Sequence, residues 1–142
     1  MRTALRIART AGVIGCLCIA VAIAGCSSPP LEPGKSEYSG GLGGTLTAVE
    51  KAPYGKTVAA TKAAMDKLAM RPSEQERDAF RSFIVGEATY GALSQTHEVR
   101  VWVTRLTDET TQIEMRIMGR RDEERLRVVL AEIQKSLGTK AN

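Results

Sequence analysis

The chain has 142 residues, a formal net charge of +4, 43% hydrophobic and 25% charged residues. That length suits one domain, and that charge density excludes both a wholly membrane-embedded chain and a disordered polar one. Three cysteines and one histidine leave an incomplete disulfide set and little for a metal site, while the basic balance points at first to nucleic acid or a membrane surface. The chain begins with Arg2, Arg6 and Arg9 and no nearby acid, followed by Ala11 to Ala24, apolar or small throughout. This stretch is shorter than the ~20 residues a spanning helix needs, so it reads as the apolar region of a secretory signal.

Ile23-Ala24-Gly25-Cys26 resembles the lipobox of bacterial lipoproteins. Small residues let an extended chain enter a narrow peptidase site, and the Cys thiol receives a diacylglyceryl group. The resemblance implies cleavage before Cys26 and a membrane tether of lipid on that residue. One acyl chain binds marginally and two or more hold stably, at ~0.8 kcal/mol per buried methylene. Ser27 rather than Asp follows the Cys, which implies the outer membrane, facing the periplasm, in a Gram-negative source. Cys16 and Cys18 would leave with the signal, so no disulfide is expected in the folded part. Removal of residues 1–25 lowers the basic count from 20 to 17 against 16 acids. The apparent basicity is therefore mostly an export signal, and nucleic acid drops out as a partner.

Residues 26–43 are rich in Ser, Pro and Gly and read as the lipidated Cys with a flexible tether. The run Gly40-Gly41-Leu42-Gly43-Gly44 lacks the preceding strand, following helix and Lys of a phosphate-binding loop. Regular patterns begin at Gly44, and a domain over 44–138 is expected, with 139–142 as a tail. Thr45 to Glu50 alternates as a strand with Leu46 and Ala48 on one face. Tyr54 to Ala69 places Val58, Thr61, Met65 and Leu68 at helical spacing. Phe80 to Ala88 reads as a strand with Ile84 on one face and Arg81, Phe83 and Val85 on the other. Val99, Val101 and Val103 alternate with Arg100 and Trp102, then Ile113, Met115 and Ile117 with Arg116 and Met118. Asp122-Glu123-Glu124 starts a helix whose stripe is Leu126, Val129, Leu130, Ile133 and Leu137, with Gly138 as its C-terminal cap. The order β-α-β-β-β-α predicts an α+β, two-layer domain: a four-stranded, largely antiparallel sheet with both helices on one face.

The segments Gly44-Thr45-Leu46, Val58-Ala59-Ala60-Thr61, Ala64-Met65, Leu106-Thr107-Asp108 and Arg121-Asp122-Glu123-Glu124 resemble a family of short bacterial lipoproteins. That family joins a lipobox and Gly-rich tether to one β-α-β-β-β-α domain of unknown function. The layout is also similar to the helix-grip domains of BamC-type lipoproteins, a likeness of architecture that carries no activity by itself. Neither resemblance implies catalytic residues.

Candidate chemistry is sparse. His97 has no Cys or His in the mature chain to share a metal or a catalytic role, and reads as an ordinary strand-edge residue. Asp122, Glu123 and Glu124 are explained as helix capping. Ser27, Ser28 and Ser36 lie in the tether, where no scaffold positions a nucleophile. No cofactor, metal or enzymatic activity is expected. Arg116, Arg120, Arg121, Arg125 and Arg127 form a cluster that could contact anionic lipid or glycan; the simpler reading is a solvated face paired with Glu123 and Glu124. The sheet face away from the helices would carry Phe83, Val85, Trp102 and Met118, ringed by Arg81, Arg100 and Arg116. A hairpin centred near Ala92 would set Phe83 opposite Trp102. This face is either a partner surface or a self-supporting aromatic pair on a solvated sheet. Two functions follow. The first is a membrane-tethered interaction or assembly-accessory protein of the cell envelope with a protein partner; the alternative is a small lipid- or hydrophobic-ligand-binding module in the periplasm.

Overall fold

The computed structural model describes residues 30–41, 43–90 and 95–139. The signal segment 1–25, the lipobox Ile23, Ala24 and Gly25, the acylation candidate Cys26 and the loop around Ala92 lie outside the described residues. Eight elements follow in order: β1 (Ser36–Ser39), β2 (Thr45–Glu50), α1 (Tyr54–Lys67), β3 (Ser73–Arg77), β4 (Arg81–Tyr90), β5 (Gln95–Arg105), β6 (Thr111–Ile117) and α2 (Glu123–Leu137). The strands form one six-stranded sheet in the order β1-β2-β6-β5-β4-β3, and every pairing is antiparallel.

The expected four-stranded sheet is thus corrected to six strands, and β-α-β-β-β-α to β-β-α-β-β-β-β-α. The two additional strands are the sheet's edges. β1 falls in the stretch whose composition reads as tether; Ser36 pairs with Ala48 and Ser39 with Thr45. Only Tyr38 of β1 packs on the core. β3, Ser-Glu-Gln-Glu-Arg, carries no apolar residue, and a bulge between Glu74 and Glu76 breaks its register. Polar, short or bulged strands are what a sheet edge tolerates, because a flat apolar edge would recruit another chain.

One sheet face and the two helices enclose the core. Leu46, Ile84, Val99, Val101, Val103, Ile113, Met115 and Ile117 are fully buried from the sheet; Met65, Val129 and Ile133 meet them from the helices. Of the core expected from sequence only Leu68 is half-buried, packed at the margin. Asp122 caps α2 by accepting from the Arg125 amide at 2.9 Å. A salt bridge of 2.8 Å between Lys67 and Glu132 joins the helices.

Both helices end in the same way. The amides of Ala69 and Met70 donate to the carbonyls of Asp66 and Met65, as those of Gly138 and Thr139 donate to Lys135 and Gln134. This is the Schellman arrangement, which needs a left-handed residue just past the helix. Gly138 fills it at φ +75°, whereas Ala69 fills it at φ +56°. The turn lowers Met70, fully buried, onto β4. Its carbonyl accepts from the Glu87 amide at 2.7 Å. A Cβ on Gly86 would lie 2.7 Å from that carbonyl oxygen and 2.5 Å from Met65 Cε.

Gly86→Ala is expected to destabilise the domain by roughly 1–3 kcal/mol, because backbone must move to admit the methyl; chemical denaturation measures it, and an unchanged midpoint would refute the tight approach. Ala69→Gly should raise stability by up to about 1 kcal/mol, relief of the left-handed strain exceeding the added chain entropy.

Candidate functional site

The helices cover one face of the sheet, and the other carries the residues singled out from sequence. Along β4 and β5 the register sets Phe83 opposite Trp102, Val85 opposite Arg100 and Arg81 opposite Thr104. The Phe83 and Trp102 rings stack with centroids 5.1 Å apart and planes inclined by 15°. Such a pair is worth about 0.5–1.5 kcal/mol beyond its buried area. Phe83, Val85, Trp102 and Met118 are each half-buried, Arg100 and Arg116 likewise, and Arg81 is exposed. The structure therefore assembles the whole set on one face.

The electrostatics of that face are uneven. Arg100 on β5 lies directly opposite Arg116 on β6, and like charges in that relation destabilise a sheet. Each guanidinium has partial relief. Arg100 pairs with Glu98, and Arg116 donates through Nε and Nη2 to Thr45 Oγ1 at 3.1 and 3.0 Å. Glu114 stands opposite Trp102 on the far side of the stack from Phe83. The face thus presents an aromatic step beside two adjacent guanidinium groups, with Glu98, its cross-strand neighbour Glu87 and Glu114 on the same face.

The remaining arginines do not form one patch with these. Arg127 bonds Glu123 one helical turn back, Arg120 lies 3.6 Å from Asp122, and Arg125 is half-buried beside Tyr90, its Nε buried without a hydrogen-bond partner among the described residues. Arg120 also lies over the Tyr90 ring, 4.5 Å from its centroid. His97 packs edge-on to Tyr90, and its Nδ1 lies 3.2 Å from the Met118 carbonyl. A carbonyl only accepts, so that nitrogen carries the ring proton. Among the described residues no group of three His, Cys, Asp or Glu is placed to hold a metal.

Sequence reasoning missed one buried acid. Glu50 is 2% exposed, and its Oε1 accepts from Gln134 Nε2 at 2.7 Å. Strand alternation already places Glu50 on the face of Leu46 and Ala48, and Gln134 lies beside Ile133 in the helical stripe, so both signals were present. Burial pushes the Glu50 carboxyl above the ordinary glutamate range, opposed by the bonds from Gln134 and Thr139. A carboxyl raised on folding favours the folded state below its unfolded pKa, and that advantage is lost as pH climbs through the folded value. Glu50→Gln keeps an acceptor for Gln134 and cannot ionise. Its melting temperature should therefore fall less than the parent's between about pH 5 and about pH 8; an equal fall would show that Glu50 ionises without cost.

Glu74 behaves oppositely. The Ser82 hydroxyl first, then Lys62, hold its carboxyl below the usual range, with bonds of 2.8 Å and 3.3 Å. These contacts tie the polar edge strand β3 to β4 and α1.

No family model matches the chain, and no curated protein matches it. Among solved structures, the vertebrate conserved region of human METTL16 is similar at a TM-score of 0.47 and 9% identity, over 58% of this chain and 69% of that one.

Proposed function

We propose that this protein is a membrane-tethered accessory of the bacterial cell envelope, held by lipid on Cys26 and acting through the open sheet face on an acidic protein partner. The tether rests on the basic start, the apolar stretch and Ile23-Ala24-Gly25-Cys26. The single observation that carries the partner surface is the Arg100–Arg116 juxtaposition beside the Phe83–Trp102 stack. Glu98 and the Thr45 hydroxyl satisfy these two guanidinium groups only in part, and a partner carboxylate placed between them would add two charge-assisted bonds and offset their repulsion. The face is non-catalytic in this reading. Binding of a small hydrophobic ligand would need space between sheet and helices. That region holds Leu46, Met65, Val101, Met115 and Ile133, each fully buried in a single cluster.

Two measurements test the proposal. A fatty-acid probe should label the parent protein and not Cys26→Ser; equal labelling of both would overturn the tether. A photo-crosslinking residue at Thr104, on the open face, should give a discrete protein adduct in cells, lost in Trp102→Ala and in Arg100→Glu. The same probe at Ala131, on the outer side of α2, should give none. Trp102→Ala is expected to remain folded, at a cost of about 0.5–1.5 kcal/mol for the lost stack. Global unfolding of that variant, or adducts indifferent to both substitutions, would reduce the face to a structural pair.

A further inference from the structure

Two large apolar side chains stand out at one end of the sheet. Phe80 is 63% exposed and Leu106 49% exposed. Phe80 lies in the turn between β3 and β4, Leu106 in the turn between β5 and β6. Neither turn is loose. Asp78 Oδ1 accepts from the amides of Phe80 and Arg81 at 2.6 and 2.7 Å. Thr107 Oγ1 accepts from the amides of Glu109 and Thr110 at 3.2 and 3.0 Å, and the Leu106 amide donates to the Thr110 carbonyl. The turns are neighbours, since the Arg105 amide donates to the Phe80 carbonyl at 2.7 Å. Two rigid turns thus present adjacent apolar tips to solvent, with the Arg105 guanidinium over the Phe80 ring, 5.9 Å from its centroid.

The path of the chain says what covers them. Glu50, at the end of β2, lies opposite Thr111, which lies opposite Arg105, so the end of β2 and the two tips share one edge of the sheet. At that edge the Gly34 amide donates to the Val49 carbonyl, and a turn closes from Lys35 N to Glu32 O. The chain therefore enters the domain here, about 20 Å across the sheet from the β3–β4 turn. Cys26 is eight residues before Gly34, at most about 28 Å of fully extended chain. A lipid on Cys26 holds this end of the domain near the bilayer, whereas the start of α2 and Arg121 lie at the opposite end, past the end of β6.

We infer that this end of the domain faces the membrane, with the Phe80 and Leu106 side chains seated in the lipid headgroup boundary beside the acylated Cys26. The inference rests on the tether proposed above. The apolar part of the contact is the one proposed, since Arg105 at the tips is paired with Asp108; a contribution from exposed Arg81 would show as salt dependence. An interfacial Phe and Leu add to an acyl anchor by burying hydrocarbon, and that contribution survives salt. The strands then run toward the membrane plane, and the open face with Phe83 and Trp102 looks sideways along the envelope.

The test uses the acylated protein in neutral phosphatidylcholine vesicles, with an environment-sensitive fluorophore on Phe80→Cys, Leu106→Cys or, as control, Arg121→Cys. All three positions are exposed, so folding is retained. Labels at 80 and 106 should shift to the blue and lose emission when doxyl-labelled phosphatidylcholine is included, at low and high salt alike; the label at 121 should do neither. Labels at 80 and 106 that stay water-like on vesicle-bound, acylated protein overturn the orientation and leave the tether standing. Blue-shifted labels that doxyl lipid does not quench mean that protein covers the tips, and also overturn it. A Cys26 that carries no lipid overturns both.

Discussion

The fold depends on one crossing. After β2 the chain must reach the far edge of the sheet to form β3, passing over β6, β5 and β4, and α1 makes that journey. Its landing is fixed by the close approach of Met70 to Gly86, where a backbone carbonyl meets a strand that has no side chain at that point. With a larger residue at Gly86 the turn after α1 would be pushed away from β4, and Met65 and Met70 would have to shift. The left-handed Ala69 that makes the descent possible is strained for the same reason: the geometry of landing outranks the preference of the residue.

Everything on the open face follows from where that crossing puts the helices. Because α1 and α2 lie together on one side, the opposite pleats of β4, β5 and β6 must be stable without a covering layer. The Phe83–Trp102 stack meets that requirement by burying each ring against the other. The Arg100–Arg116 pair meets it only in part, through Glu98 and the Thr45 hydroxyl.

How much of this was legible depended on whether a segment had an inside. Val99, Val101 and Val103 alternate because one face of β5 is core, and the stripe of α2 was readable for the same reason; the Asp122 and Gly138 caps framed it correctly. The pairing of Phe83 with Trp102 followed from the symmetry of a hairpin about Ala92. β3 was illegible because its residues are mostly exposed on both sides and the bulge at Gln75 interrupts what alternation remains. β1 was hidden by its neighbours: Pro33, Gly34 and the glycines from Gly40 dominate the local composition, while Tyr38 alone marks the strand. Phe80 and Leu106 could not be recognised as tips from spacing, since only the three-dimensional course of β3–β4 and β5–β6 brings them together.

The strand β1 has a mechanical consequence. It is the first regular element among the described residues, so a pull applied at Pro30 reaches the rest of the domain through it. β1 lies antiparallel to β2 at the sheet edge, paired on one side only through four residues, with Tyr38 alone packed on the core. Short polar β1 is therefore the first element to detach, releasing on the order of 10–15 Å of chain for four residues, while the four other pairings of the sheet remain. The edge strand is thus a weak link that can lengthen the chain ahead of the domain while the β2–β6–β5–β4 core of the sheet stays paired.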